Sequence, residues 1–223
     1  MYMVEGESVG ILASTTDGST LLTDLVSGNL APDTGAVFIR PGSCILGAPT
    51  TSELKLSLEE VIQRLAMTQE VNGRALKKAV ARTVRQIGLE DDHLFTRVSD
   101  LEPAIVELAR LSAALNTSPS LLIAVSSIAS GNVLLTDPGK AWYERYLSRR
   151  GSCLMFASNT RTLVRACSRI IWLYEGRVIM DRPAIEVHRE FVRFEAAKDD
   201  RMQQAQLLRR YALELVQPKI TTY

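Results

Sequence analysis

The sequence predicts an α/β fold, a mostly parallel sheet flanked by helices and carrying an inserted helical subdomain. Short apolar segments alternate with amphipathic ones at both ends of the chain, whereas the middle shows only helical periodicity. The chain has 223 residues, of which 46% are hydrophobic, and this excludes a disordered or collagen-like protein. The length suits a single domain, residues 1–223, with a subdomain.

The charges of the chain are nearly balanced. Lysine and arginine number 26 and aspartate and glutamate 25, so the net charge is +1. We therefore expect no nucleic-acid partner. The cysteines and histidines are too few and too scattered for a disulfide framework or a metal site, so we expect reduced thiols and surface histidines. These residues are Cys44, Cys153, Cys167, His93 and His188.

A strand, a polar turn and a helix open the chain. The apolar run 9–13 predicts a buried strand, residues 14–18 a turn, and residues 19–26 a helix. This order is typical of the start of a parallel α/β unit. Turn residues at positions 32–35 lead into a second predicted strand, residues 36–39.

The middle of the chain is predicted to be helical. Apolar side chains recur at helical spacing in residues 53–70, 76–87 and 101–115, and such stripes pack on a core. We assign the helical subdomain to residues 51–116 and the core to residues 1–50 and 117–183.

Strands and helices alternate again in the last third. Asp137 is predicted to cap the first helix of this part, and one long charged helix, residues 184–216, ends the chain. The predicted strands cover residues 120–125, 152–157, 170–174 and 177–180, and the predicted helices cover residues 139–150 and 160–167.

Basic residues are concentrated in one stretch. Between residues 138 and 170 there are seven basic side chains and one acidic side chain. They would suit an acidic partner or anionic lipid headgroups, or they are the solvated faces of two helices. The basic residues are Lys140, Arg145, Arg149, Arg150, Arg161, Arg165 and Arg169.

The turn after the first strand is an incomplete phosphate loop. A P-loop needs G-x-x-x-x-G-K-[ST], in which glycines open the backbone to phosphate, lysine reaches the phosphate oxygens and a hydroxyl holds Mg²⁺. Here Gly18, Ser19 and Thr20 remain, the first glycine and the lysine are absent, and Asp17 adds a negative charge. These three residues are the candidate cofactor-binding set, able to hold an anion weakly at a helix N-terminus. The alternative is a capped helix after a strand.

Three stretches of the sequence resemble the ATP-binding subunits of ABC transporters. They are GESVGIL (residues 6–12) with GSTLL (residues 18–22), VSGNLAPDTG (residues 26–35), and residues 158–169 with 173–178. The pattern is most similar to the short ATPases that export capsular and other polysaccharides.

This resemblance implies a P-loop NTPase-like fold with ATP and Mg²⁺ as cofactors. It implies a membrane permease, another ATPase subunit or a second copy of the chain as partner. It also implies a cytoplasmic location, peripheral at the inner membrane through that partner.

The catalytic positions of that family are replaced. The strand equivalent to residues 121–127 should end in an aspartate for Mg²⁺ and a glutamate base, but no Asp or Glu lies between Glu107 and Asp137. Asn159 stands for the switch histidine and cannot exchange a proton near neutral pH. Residues 97–103 replace the Ser-Gly-Gly signature turn, and Asp100 and Glu102 would repel a phosphate there.

We therefore interpret the chain as a pseudo-ATPase, a non-catalytic subunit or regulator in polysaccharide or capsule export, with no catalytic and no metal-ligating residues. The alternative is an ATPase subunit that uses ATP and Mg²⁺ through non-standard residues or a partner's half-site. A third interpretation is an unrelated α/β binding module that shares the fold alone.

Overall fold

The computed structural model describes residues 2–13, 16–39, 41–125 and 136–216. Within these residues the strands form one sheet in the order β2-β3-β4-β1-β5-β6, and neighbours are parallel except β5 and β6. The strands are β1 (Ser8–Ala13), β2 (Ser43–Leu46), β3 (Leu121–Val125), β4 (Ser152–Ala157), β5 (Arg169–Tyr174) and β6 (Arg177–Pro183). The predicted mostly parallel α/β fold is confirmed.

Helices cover both faces of the sheet and also form an arm between β2 and β3. They are α1 (Thr16–Ser27), α2 (Leu58–Met67), α3 (Gly73–Ile87), α4 (Asp91–Phe95), α5 (Pro103–Asn116), α6 (Asp137–Ser148), α7 (Thr160–Ala166), α8 (Ala184–Ala196) and α9 (Arg201–Val216). No helix in the described ranges is long and apolar enough to span a bilayer.

Strand β1 lies at the centre of the sheet, between β4 and β5. All of its residues are buried, because both faces of this part of the sheet are covered. Val9 and Ile11 belong to the core cluster on one face and Leu12 to the cluster on the other, as the two-residue period of a strand requires. Gly10 lets α7 approach closely, since a Cβ at this position would lie 3.0 Å from Cδ2 of Leu163.

The helical arm is present, although its first predicted helix is split. Residues 53–55 form a short 3₁₀ turn, and α2 begins only after Ser57. Ser57 has an extended backbone and forms a capping box with Glu60, in which each side chain accepts from the backbone N–H of the other residue. This box starts a new helix at Leu58, so the predicted single helix over residues 53–70 is wrong.

The second predicted strand is also wrong. Residues 36–39 form no strand, and the Phe38 side chain is 93% exposed. The chain instead turns at Gly42, whose φ is +81°. Ser120 holds this turn with two hydrogen bonds: its N–H donates to the Gly42 carbonyl at 2.9 Å, and its Oγ–H donates to the Pro41 carbonyl at 2.8 Å. These contacts bring β2 alongside β3, a pairing that local turn chemistry does not indicate.

Two helix ends differ from the sequence-based expectation. Thr136, not Asp137, caps α6, because the Thr136 side chain accepts from the Gly139 N–H at 3.3 Å. The predicted C-terminal helix over residues 184–216 is divided into α8 and α9. Asp200 ends the connection by accepting from the N–H groups of Met202 and Gln203, both at 3.0 Å.

Candidate nucleotide site at the carboxyl edge of the sheet

The junction of β1 and α1 lies at the middle of the carboxyl edge of the sheet. Strand β1 ends at Ala13 and α1 begins at Thr16, so the helix N-terminus follows the central strand almost directly. Ligands of open parallel sheets bind at this edge, where the unpaired N–H groups of a first helical turn attract anions. Strand β1 and helix α1 thus follow each other in the order that a phosphate site requires.

Gly18, Ser19 and Thr20 lie inside α1 and not ahead of it. The helix begins three residues earlier than the predicted start at residue 19, so Gly18 is in its first turn. The structure describes only the backbone of residues 16–20, and residues 14 and 15 lie outside the described ranges. The predicted phosphate-binding roles of Gly18, Ser19 and Thr20, and the alternative of a capped helix, therefore stay predictions.

Within the described residues, strands β3 and β4 bring no carboxylate to this edge, whereas Glu175 follows the end of β5. Strand β3 pairs with β4, which pairs with β1, and Leu122, Ile123 and Ala124 of β3 are fully buried apolar residues. Mg²⁺ prefers oxygen ligands. Among the described residues, no group of three His, Cys, Asp or Glu side chains is placed to hold a metal ion. Since these residues do not fit Mg²⁺, we derive no hydrolytic step through it.

Asn159, at the predicted switch position, caps helix α7. Its Oδ1 accepts from the N–H of Thr162 at 3.2 Å, so the side-chain oxygen is used in helix capping. The next residue, Thr160, is 3% exposed, and its Oγ1 lies 2.7 Å from Nδ1 of His188.

The two histidines are not surface residues of the kind expected from the sequence. His188 links α8 to the N-terminus of α7 and is half-buried. His93 is also half-buried, and its Nδ1 is a buried atom without a hydrogen-bond partner in the described structure.

The segment at the signature position is held by strand-like contacts with the start of α2. Val98 N–H donates to the Leu56 carbonyl (2.9 Å), and Leu58 N–H donates to the Thr96 carbonyl (3.1 Å). Residues 98–100 form a 3₁₀ turn in which Ser99 Oγ–H donates to Asp100 at 2.8 Å. The exposed carboxylate of Asp100 close to the start of α5 opposes anion binding at that helix.

Arg110 was not identified from the sequence. It is 4% exposed on α5 and donates through Nη1 to the Gly47 carbonyl in the loop after β2. Its Nη2 lies 3.5 Å from Oε2 of Glu53, a carboxylate that also accepts from Thr50 N–H at 2.8 Å. Arg110 therefore ties the helical arm to the loop that leaves the sheet. The sequence feature that could have identified Arg110 is its position as a single cation in the mostly apolar run 108–115, four residues after the buried Val106.

The fold matches solved structures closely. One of them, described as the ATP-binding subunit of an ABC transporter, aligns with a TM-score of 0.68 and 18% identity over 86% of this chain and 85% of that chain. The chain has the fold of an ABC-transporter ATP-binding subunit. A second such fold is CbiO1 of Clostridium perfringens, part of the ABC transporter complex CbiONQ, with a TM-score of 0.65 and 16% identity over 94% of this chain and 90% of that one.

Curated relatives in sequence carry names of the same kind. The teichoic acids export ATP-binding protein TagH of Lactococcus lactis is 23% identical over 193 residues, which are 85% of this chain and 41% of TagH. TagH of Listeria monocytogenes is 19% identical over 197 residues, 85% of this chain and 56% of that protein. The nickel import ATP-binding protein NikE of Pseudomonas putida is 23% identical over 205 residues, 80% of this chain and 72% of NikE.

The chain thus spans about half the length of its TagH relatives. No protein-family model matches the sequence. By sequence and by fold, the chain is similar to ABC-transporter ATP-binding subunits, and the names of the relatives include both an export and an import function.

Proposed function

We propose that the chain is a non-hydrolysing ABC-type ATP-binding subunit homologue, which serves as a subunit or regulator of a polysaccharide exporter. The observation that carries this proposal is strand β3. It occupies its place in the ABC-type sheet beside β4, yet the sequence from residue 108 to residue 136 contains no carboxylate to hold Mg²⁺ or to activate water.

Several independent losses act in the same direction. Removing one electrostatic stabiliser of a transition state costs about a hundredfold or more in rate, although coupled groups do not add. Here the loop lysine, the metal carboxylate and the general base are absent, and Asn159 takes the switch position as a helix cap. Together these losses favour a role in which the chain supplies shape rather than hydrolysis.

A second candidate function is an ATP-binding subunit that works through non-standard residues or through a partner's half-site. The order of β1 and α1 favours it, because a helix N-terminus that follows the central strand can attract an anion. In this case Gly18, Ser19 and Thr20 would contact the phosphates.

Titration of the purified chain with Mg·ATP, followed by a phosphate-release assay, separates the two functions. We expect no measurable hydrolysis and at most weak binding. A turnover of about 1 per second that Ser19→Ala abolishes would contradict the proposal. Micromolar binding without turnover would support the second candidate, and Ser27→Ala, at the far end of α1, is the matched control.

The proposed partner is the membrane permease of an exporter, or an active ATPase subunit beside it. The TagH relatives, whose names refer to teichoic acid export, support a polysaccharide as cargo, whereas NikE points to nickel. The proposed location is cytoplasmic and peripheral at the inner membrane.

Affinity capture of the tagged chain from a detergent extract of membranes, with identification by mass spectrometry, tests the partner. We expect an exporter permease that is enriched over a tagged control protein. Recovery of a metal-import permease instead would contradict the proposed cargo.

A further inference from the structure

A cationic pocket lies at the opposite edge of the sheet, where β3 and β4 begin. Its volume is about 600 Å³, and its walls are formed by α3, by the C-terminal parts of α5 and α6, and by the segments that lead into the two strands. Four arginines line it: Arg82, Arg145, Arg149 and Arg150. The five residues of β3 separate this edge from the candidate nucleotide site by about 17 Å.

The positive charge of the pocket is not neutralised within the described part of the chain. None of its four arginines forms an ion pair there, and all four are exposed to solvent. Glu5 is the single carboxylate among the described lining residues, against four guanidinium groups. Uncompensated cations around one concave surface raise the local concentration of anions.

Helix dipoles do not account for this arrangement. Arg145 and Arg149 lie at the C-terminal end of α6, where a cation is favourable. Arg82, however, lies in the middle of α3, and Arg150 lies beyond α6 with a φ of +64°. Two separate chain segments, α3 and residues 145–150, therefore bring cations to the same cavity.

A buried, hydrogen-bonded tyrosine forms the floor of the pocket. The Tyr146 ring is 6% exposed, and its hydroxyl lies 2.7 Å from the Ser152 carbonyl and 3.1 Å from the Pro119 carbonyl. Gly151 packs directly on this ring, since a Cβ at that position would lie 2.4 Å from Tyr146. The turn that carries Arg149 and Arg150 is thereby held against a buried side chain.

Neutral groups complete the lining. Oε1 of Gln86 accepts from Ser112 Oγ–H at 2.6 Å and from Asn116 Nδ2–H at 2.9 Å, which leaves the Gln86 NH₂ group as a donor. Trp142 adds a half-buried indole ring.

We propose that this pocket binds a phosphate-bearing ligand. A guanidinium group presents a planar fork of donors that matches phosphate oxygens, and several guanidinium groups around one cavity favour a multiply charged anion. Both a soluble diphosphate and the phosphate of an anionic lipid headgroup have this chemistry. The site is independent of nucleotide binding at the carboxyl edge.

Acrylamide quenching of tryptophan fluorescence reports on this site in the full chain. The protein contains two tryptophans, and Trp172 is fully buried, so the quenchable signal belongs to Trp142. We expect inorganic pyrophosphate without Mg²⁺ to protect Trp142 from quenching in a saturable manner. An unchanged quenching constant, together with the absence of a calorimetric signal, would overturn the proposal.

Three-residue variants with equal charge change test which arginines are responsible. We expect Arg82→Gln combined with Arg145→Gln and Arg149→Gln to weaken pyrophosphate binding at least about tenfold. The matched control is Arg74→Gln with Arg177→Gln and Arg209→Gln, at exposed arginines outside the pocket, and it should bind like the parent chain. Equal weakening by both variants would mean that net charge alone attracts the ligand and would overturn the proposal.

Two further variants test whether pyrophosphate binds at the candidate nucleotide site and whether a folding defect explains a loss of binding. Ser19→Asp puts a charge at the candidate nucleotide site, and loss of pyrophosphate binding in this variant would place the ligand there and overturn the pocket. Should the three-residue variant fail to fold, which circular dichroism detects, Arg149→Gln alone must still weaken binding.

Co-sedimentation with vesicles separates the two sources of phosphate. Vesicles of phosphatidylcholine are compared with vesicles that also contain phosphatidylglycerol. Binding of the parent chain to the anionic vesicles, lost in the pocket variant, supports the lipid source, whereas protection by pyrophosphate without vesicle binding supports the soluble one. Absence of both would contradict the proposal.

Discussion

Burial determines the chemistry of the three cysteines. Cys44, Cys153 and Cys167 are free and buried, as the expected reduced thiols require. Loss of hydration disfavours the thiolate, which raises the pKa of Cys44 and of Cys153 to about 12 and that of Cys167 well above its ordinary value. Because the thiolate is the nucleophile, we expect these groups to react little in the folded state at neutral pH.

We predict that the native chain does not react with a disulfide reagent at pH 8. In concentrated urea all three thiols should react, because unfolding restores their ordinary pKa. Absorbance of the released thiol measures both rates. Ser158→Cys, at an exposed position, is the positive control, and rapid reaction of the parent chain before unfolding would show that a cysteine is accessible.

At the level of single elements, capping decides where the helical arm begins. Ser57 N–H donates to Oε2 of Glu60 at 2.8 Å, and Glu60 N–H donates to Ser57 Oγ at 3.3 Å. The hydrogen bonds from Ser57 lower the pKa of Glu60 below its ordinary 4.5. The ionised carboxylate is therefore stabilised more in the folded chain than in the unfolded one.

This box predicts a pH-dependent contribution to stability. Since the folded pKa of Glu60 is lowered, its contribution is complete above pH 4.5 and is lost as the pH falls through the lower folded value. Glu60→Gln keeps a side-chain acceptor without a titrating proton, so the parent chain should lose stability more steeply than this variant on acidification. Urea unfolding from pH 7 to pH 3 measures the difference, and equal slopes would contradict the prediction.

Removal of the cap is a separate test of the same box. Ser57→Ala should lower the free energy of unfolding at pH 7 by about 1 kcal/mol.

The C-terminal helices depend on an aromatic cluster around a single buried side chain. The ring of Trp172 on β5 lies 5.2 Å from Phe191, 5.2 Å from Phe194 and 5.7 Å from Tyr211, measured between ring centroids. These contacts hold α8 and α9 against β5, and the break between the two helices lets both reach the same tryptophan.

At the scale of the whole molecule, Arg110 couples the helical arm to the sheet. Its partners, Gly47 and Glu53, are 63 and 57 residues away in the chain, and the Glu53 carboxylate is 14% exposed. A buried ion pair of this kind contributes little beyond a well-packed apolar replacement, but removal of one partner leaves an unpaired charge.

We predict that Arg110→Met lowers the free energy of unfolding by about 3 kcal/mol. Adding Glu53→Gln to this variant should restore part of the loss, because the stranded carboxylate is removed. Urea unfolding gives the free energies, and hydrogen exchange should accelerate in residues 47–53 but not in β5. Arg74→Met, at an exposed arginine of α3, is the control, and an Arg110→Met chain as stable as the parent would disprove the coupling.

Much of the architecture was predictable because burial imposes a local period. Strands β1, β4 and β5 and helices α3, α5 and α7 lie close to their predicted places. Their apolar residues repeat every two or every three to four positions within a single segment. For the candidate site, the absence of carboxylates around β3 was equally plain, since it is a property of composition alone.

Other features could not be predicted from the sequence, because the residues that they contact lie far away in the chain. Residues 36–39 are as apolar as β2, but only residues 43–46 find β3, through Ser120 and the turn at Gly42. For the same reason the sequence shows that Arg110 is a cation in an apolar helix but does not predict that Glu53 is its partner. It also shows a basic stretch but does not predict that some of these side chains line one pocket.

The sequence by itself determined the fold class, the helical middle of the chain and the absence of carboxylates between residues 107 and 137. Each of these follows from residue types within one short segment. Tertiary structure alone decided which edge segment joins the sheet, which carboxylate meets Arg110, and that Arg82 of the helical arm joins Arg145, Arg149 and Arg150 in one cavity. Those contacts depend on how distant segments pack. A periodic pattern fixes only which face of one segment is buried, whereas close packing of the core fixes the distances between residues that are far apart in the chain.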